Sequence, residues 1–260
     1  MTPLQAFALT VFIVIAAKTG AWALQLRTRN AGTVDAIWAW TLGGLAVVYA
    51  AVGTAPLELR WLLGLMGGLW GLRLGWHLWV RNHGKPEDWR YARFREQWGA
   101  RADFNMFWFF QFQNLFTLML SASAFLTVAY RGDSPGTLAM GLAVVIGIVS
   151  VLGEGLADRQ MERFRNNPAN KGRVCRDGLW RYSRHPNYFF ECVHWLAYVP
   201  LAIGAPWGWL SLAAPLVMAF LLLKMSGVPL LEAEMAQRKK GYAEYVRTTS
   251  VLIPWPPKAS

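Results

Sequence analysis

Hydrophobic positions fall into seven long runs separated by short polar connections. Residues 5–24, 35–54, 61–80, 106–130, 135–157, 187–204 and 207–230 each approach the roughly 20 apolar residues that carry a helix across a bilayer. The pattern predicts an all-α fold: a polytopic membrane bundle of seven transmembrane helices in a single domain, residues 1–260. No Lys or Arg precedes the first run and no small-residue cleavage site follows it, so it reads as a retained span.

Positive charge sets the orientation of such a bundle, because Lys and Arg accumulate on the cytoplasmic side. Connections 25–34, 81–105 and 158–186 and the tail from 231 hold most of the 26 basic residues. The opposite side holds only Arg60 and Arg131, while Lys18, Arg73 and Lys224 lie within spans. This asymmetry places the N-terminus outside and the C-terminus in the cytoplasm.

Composition agrees: 55% of the residues are apolar, only 16% are charged, and there are 15 tryptophans, the residue that settles at membrane–water boundaries. A net charge of +11 does not point to nucleic acid, because the basic residues sit in short segments between apolar runs. In one of these, 81–99, Glu87, Asp88 and Glu96 offset about half the charge, and its alternation with aromatics predicts an amphipathic surface helix. Cys175 and Cys192 have no metal-type spacing and no disulfide framework around them.

Polar residues inside apolar runs are costly and therefore informative. Lys18 either snorkels to the interface or meets a carboxylate. Asp35, at the start of the second run, either caps a helix or serves as a proton donor or substrate anchor. Arg73 and His77 share a face with Trp70, directed into the bundle either as a packing ion pair or toward a wet cavity. Gln111, Gln113 and Asn114 form an amide cluster in which Gln113 is interhelical glue or a ligand for a substrate carbonyl. Lys224 lies deep in the last run, ahead of Ser226-Gly-Val-Pro229, which should distort the helix.

The densest chemistry lies between the fifth and sixth runs. Glu154 and Asp158 stand four residues apart ahead of Arg159, Arg163 and Arg165. Carboxylates accept from ribose hydroxyls and guanidinium forks fit phosphate, so this grouping suits a nucleotide or an ordinary solvated helix end. Next comes Gly178-Leu-Trp-Arg-Tyr-Ser-Arg-His-Pro-Asn-Tyr-Phe-Phe-Glu191, a basic loop entering an apolar helix. Arg181, Arg184 and His185 precede that helix start, a natural anion site, and Asn187 and Glu191 follow on one face.

Glu87-Asp-Trp-Arg-Tyr with Trp98-Gly99, the 178–191 stretch, Ser226-Gly-Val-Pro-Leu-Leu-Glu232 and Ile253-Pro together resemble the bacterial branch of the steroid 5-alpha-reductase family, the group called DUF1295. The resemblance runs along nearly the whole chain. It implies a seven-helix protein of the bacterial inner membrane that uses NADPH to reduce a C=C bond conjugated to a carbonyl, in a lipophilic substrate entering from the bilayer. It assigns Asp158, Arg165, Asn187 and Glu191 to the cofactor. Arg181, Tyr182, Arg184, His185, Lys224, Tyr242 and Arg247 join that cofactor set. The glutamine–glutamate pair and the tyrosine that meet the substrate carbonyl in the animal enzymes have no aligned counterpart; Asp35, Arg73, His77 and Gln113 are the candidates in comparable regions. Arg-His-Pro-x-Tyr before a membrane helix, with a Tyr-rich tail, also resembles the isoprenylcysteine carboxyl methyltransferases, which use S-adenosylmethionine.

Overall fold

The structure is a computed structural model that describes residues 1–259. Among the described residues there is no strand, only an isolated parallel bridge between Ser183 and Ser250. Twelve helices follow in order. They are α1 (Pro3–Thr28), α2 (Thr33–Val52), α3 (Leu57–Asn82), α4 (Trp89–Trp98), α5 (Ala102–Leu120), α6 (Thr127–Ala129), α7 (Thr137–Asn166), α8 (Pro186–Leu196), α9 (Val199–Ala202), α10 (Ala213–Phe220), α11 (Val228–Arg238) and α12 (Tyr242–Thr248). Among the described residues, five helical stretches are long and apolar enough to cross a membrane: Pro3–Thr28, Thr33–Val52, Trp89–Ala129, Thr137–Asn166 and Gly208–Arg238. α3 is as long as α1, but Arg60, Arg73, His77 and Arg81 interrupt its apolar character.

Two predicted runs are not uninterrupted helices. The 187–204 run ends as a helix at Leu196, where Ala197 N–H bonds back to His194, and resumes only as the four-residue α9. Pro200 accounts for the break: it has no amide to give the Leu196 carbonyl, and its ring collides with that group in a continuous helix. The 207–230 run breaks at Ser226–Gly227, as the Gly-Pro pair predicts, and Pro229 stands four residues beyond the last residue of the π-helical turn Leu221–Met225.

The chain divides into two compact units, interleaved along the sequence. The first comprises Met1–Met140 and Tyr198–Ala214, and the second Gly141–Ala197 and Pro215–Ser260.

In the first unit, Thr2 and Gln5 form a capping box with Pro3 at the first helical position, which starts α1. α2 and α3 meet along a seam of small residues. A Cβ on Gly71 would lie 2.6 Å from Gly43 Cα and 2.7 Å from the Ala39 carbonyl, and one on Gly67 would lie 2.3 Å from Ala46 Cβ. Such contact needs glycine, because close backbone approach is what holds helices together where no hydrophobic force acts between them. Arg131 is buried and donates to the carbonyls of Leu201 (3.1 Å) and Ile203 (2.9 Å), which fastens α9.

In the second unit, α7 exposes Leu142, Val145, Ile148 and Leu152, large apolar side chains suited to lipid contact. α8 packs its polar face toward α7, and this pairing builds the site described next.

Candidate functional site

In the second unit the turn Gly178–Arg181 is fastened to the end of α7. Leu179 N–H donates to Gln160 Oε1 (2.9 Å) and the Trp180 indole N–H to the Ala157 carbonyl (3.0 Å). Gly178 adopts φ +57°, and a Cβ there would lie 2.3 Å from the Gln160 amide, so glycine alone allows the turn this close. His185 then leads into α8 with Pro186 at its first position.

This anchoring brings Asn187 beside Asp158, with the amide Nδ2 donating to Oδ1 at 3.4 Å. Seven residues on, His194 Nδ1 lies 3.4 Å from Ser150 Oγ. These two pairings make α7 and α8 antiparallel, with a polar seam that spans eight α7 residues, about 12 Å. Between them, one turn in from each end, lie Glu154 and Glu191, both buried. Glu191 accepts from the Trp195 indole (3.1 Å). Two buried carboxylates are costly in an apolar helix pair, which marks the seam as the candidate site.

Outside the seam, the basic loop divides into two groups. Arg165 and Arg181 are exposed, and the Arg181 guanidinium sits over the ring of Tyr182, itself exposed. Arg184 and His185 do not form part of an open anion site. Arg184 clasps Glu232 of α11 through Nε (2.7 Å) and Nη2 (3.3 Å), and its Nη1 donates to the carbonyls of Val246 (3.0 Å) and Thr249 (2.5 Å). His185 Nε2 lies 3.0 Å from the same Glu232 carboxylate, and its ring stacks on Tyr188. Both side chains therefore clamp the C-terminal tail, a role that the sequence did not announce.

The tail is tied further by Arg184 N–H to Ser250 O (2.8 Å) and by the Tyr245 hydroxyl, which donates to the Trp180 and Ser183 carbonyls. Burial pushes the phenols of Tyr242 and Tyr245 well above the usual tyrosine range, which keeps both neutral. Tyr242 is buried, whereas Arg247 is exposed. Lys224, expected deep in an apolar run, is exposed on the π-helical turn ahead of the break at Gly227. Sequence reasoning did not single out Tyr245, Ser150 or His194; the i, i+3 step from Glu191 to His194 was the available signal for the last.

The four candidates for the substrate carbonyl all lie in the first unit. Asp35 does not cap α2, whose N-cap is Gly32; its carboxylate takes Arg90 (2.7 Å) and the Tyr91 hydroxyl (2.6 Å), so it ties α2 to α4. Gln113 Oε1 accepts from Lys18 Nζ at 2.6 Å. Lys18, only 1% exposed, thus neither snorkels nor meets a carboxylate. Arg73 and His77 stand one turn apart on α3, both half-buried, near the fully buried Trp70, whose ring meets Trp38 edge-on. The 81–99 segment supplies α4, whose Tyr91, Phe94 and Trp98 pack with Met106, Phe109 and Phe110. Arg95 of α4 pairs with Glu87 before the helix and with Asp103 at the start of α5, which knits these helix ends together.

An all-α chain with several helices long and apolar enough to cross a membrane is compatible with a multi-pass membrane protein, here with a polar seam between two of its helices. Its family follows from the sequence as a whole: the model of the DUF1295 family, described as a protein of unknown function, matches residues 21–249, and the chain belongs to that family. No curated protein and no solved structure matches the chain.

Proposed function

We propose that the chain is an integral membrane reductase that uses NADPH to reduce a C=C bond conjugated to a carbonyl in a steroid-like or other lipophilic enone. It would be a relative of the steroid 5-alpha-reductases. The observation that carries this reading is the Asp158–Asn187 pairing, with buried Glu191 one turn deeper. Three of the four residues that the resemblance assigns to the cofactor thus lie in one seam, and the fourth, Arg165, is exposed on the last turn of the same α7.

These groups fit a dinucleotide phosphate. Exposed Arg165 and Arg181 offer guanidinium forks to phosphate oxygens, and Asp158 and Asn187, both half-buried, offer an acceptor and a donor to ribose or carboxamide groups. Bound NADPH would supply the hydride. The chain's own contribution is to hold the ring in register through Asn187 and Glu191, and to exclude water with the apolar faces of α7 and α8. A donor must also meet the developing enolate oxygen. Asp35, Arg73, His77 and Gln113 remain the candidates for that donor. α3 and the α8–α9 stretch complete seven membrane passages in this reading, N-terminus outside and C-terminus cytoplasmic, in an inner membrane.

Cofactor titration of two variants tests the assignment. Arg165→Ala should weaken NADPH by roughly tenfold, the worth of a charge-assisted bond, and NADH by much less, because this guanidinium meets the 2′-phosphate. Glu191→Gln should weaken both while the protein stays folded. NADPH binding by Glu191→Gln as tight as by the parent would remove the basis of the proposal.

A further inference from the structure

A second concentration of charge in the same unit takes no part in the seam. Lys171, Arg173 and Arg176 from the connection after α7, and Arg238 and Lys240 from the end of α11, line one open cleft of about 600 Å³. The two segments are held in place by Arg176, which reaches Glu244 (3.3 Å) and the Gly241 carbonyl (3.3 Å). Arg238 pairs with Glu234 one turn earlier on α11. Lys171, Arg173 and Lys240 have no carboxylate within ion-pair distance among the described residues. Converging like charges repel one another, an arrangement that becomes favourable once an anion sits among them.

We propose that this cleft binds the headgroup phosphate of an anionic phospholipid. Its depth relative to the bilayer argues for that source. α7 has 30 residues and is about 45 Å long, against a hydrocarbon core of roughly 30 Å. Its large exposed apolar side chains end at Leu156, and the turns from Asp158 to Asn166 rise about 12 Å further, through the headgroup layer. The connection folds back on that end: Asn170 Nδ2 donates to the Phe164 carbonyl (3.1 Å), and Arg173 N–H to the Asn170 carbonyl (3.0 Å). Basic pockets at this level of a membrane protein hold lipid phosphates. The lining also argues against a nucleotide. Besides the five cations it contains only a glycine and a valine, with no aromatic face for a base and no carboxylate for a ribose.

Retention of added lipid by the purified full chain in a neutral maltoside, read by native mass spectrometry, tests the proposal. Phosphatidylglycerol, phosphatidylcholine and inorganic phosphate serve as the three probes. The parent should retain phosphatidylglycerol in preference to phosphatidylcholine, and Lys171→Gln/Arg173→Gln/Lys240→Gln should lose roughly 100-fold of that preference, about fivefold per charge. Arg27→Gln/Arg101→Gln/Lys258→Gln removes the same net charge elsewhere and should keep most of it. Equal losses in both triple variants, or displacement of the lipid by inorganic phosphate at matched concentration, would overturn the headgroup assignment. So would a cleft variant that keeps its lipid preference and instead loses NADPH.

Discussion

Replacing Arg184 separates a tail clamp from a phosphate ligand. Its guanidinium makes two bonds to Glu232 and two to main-chain carbonyls of the tail, with side-chain exposure of 10% for Arg184 and 19% for Glu232. Removing one member of a buried charged pair costs about 3–5 kcal/mol. Glu232 would keep His185 at 3.0 Å and some water, so Arg184→Met should cost about 3 kcal/mol. Arg184→Lys keeps the charge but not the fork and should cost about half as much. Because the loss falls on the tail, it should appear as local opening: amide hydrogen exchange over residues 242–252 should speed up about 100-fold in Arg184→Met. Exchange within threefold of the parent, together with a large loss of NADPH affinity, would show that Arg184 serves the ligand and that the clamp is incidental.

Other positions carry expectations of equal sharpness. Gly71→Ala drives a Cβ into the backbone of Gly43 and should lower the stability of the detergent-solubilised protein by about 1–3 kcal/mol, whereas Gly44→Ala, with no neighbour within 4 Å, should be neutral; thermal melts compare the two. Gln113→Leu strips buried Lys18 of its 2.6 Å partner and should cost about 2–4 kcal/mol, most of it recovered in Lys18→Met/Gln113→Leu, as a double-mutant cycle would measure. Cys175 is buried, and burial raises its thiol above the ordinary value, so less thiolate is present at any given pH. Its maleimide labelling at pH 8 should be slow, faster at higher pH and fast on unfolding, as mass spectrometry can follow.

Much of this architecture is readable from residue order alone, because helix length follows from apolar run length. The runs at 5–24, 35–54 and 61–80 lie inside α1, α2 and α3 apart from residues at one end of α2. The fate of 187–204 was also available in Pro200, whose ring ends α8 at Leu196, but composition averaged over the run conceals it. Asn187 and Glu191 are visible as a stripe because a helix places residues four apart on one face. Partner choice is a different matter. Lys18 and Gln113 are 95 positions apart and Arg184 and Glu232 are 48 apart, and nothing local selects either pair over other charges in reach. Tertiary packing decides them, which is why Arg184 reads as a phosphate ligand in the sequence and as a clamp in three dimensions. The basic cleft was hidden for the same reason: its two segments are unremarkable until the tail folds back.

Direct binding is the shortest route to the central claim. Purified parent protein and Glu191→Gln would each be titrated with NADPH, NADH and S-adenosylmethionine, following the fluorescence of its 15 tryptophans. The parent should bind NADPH saturably and more tightly than NADH, leave S-adenosylmethionine in solution, and lose most of its NADPH affinity in the variant. Saturable binding of S-adenosylmethionine with none of NADPH would contradict the reductase and point to a methyltransferase.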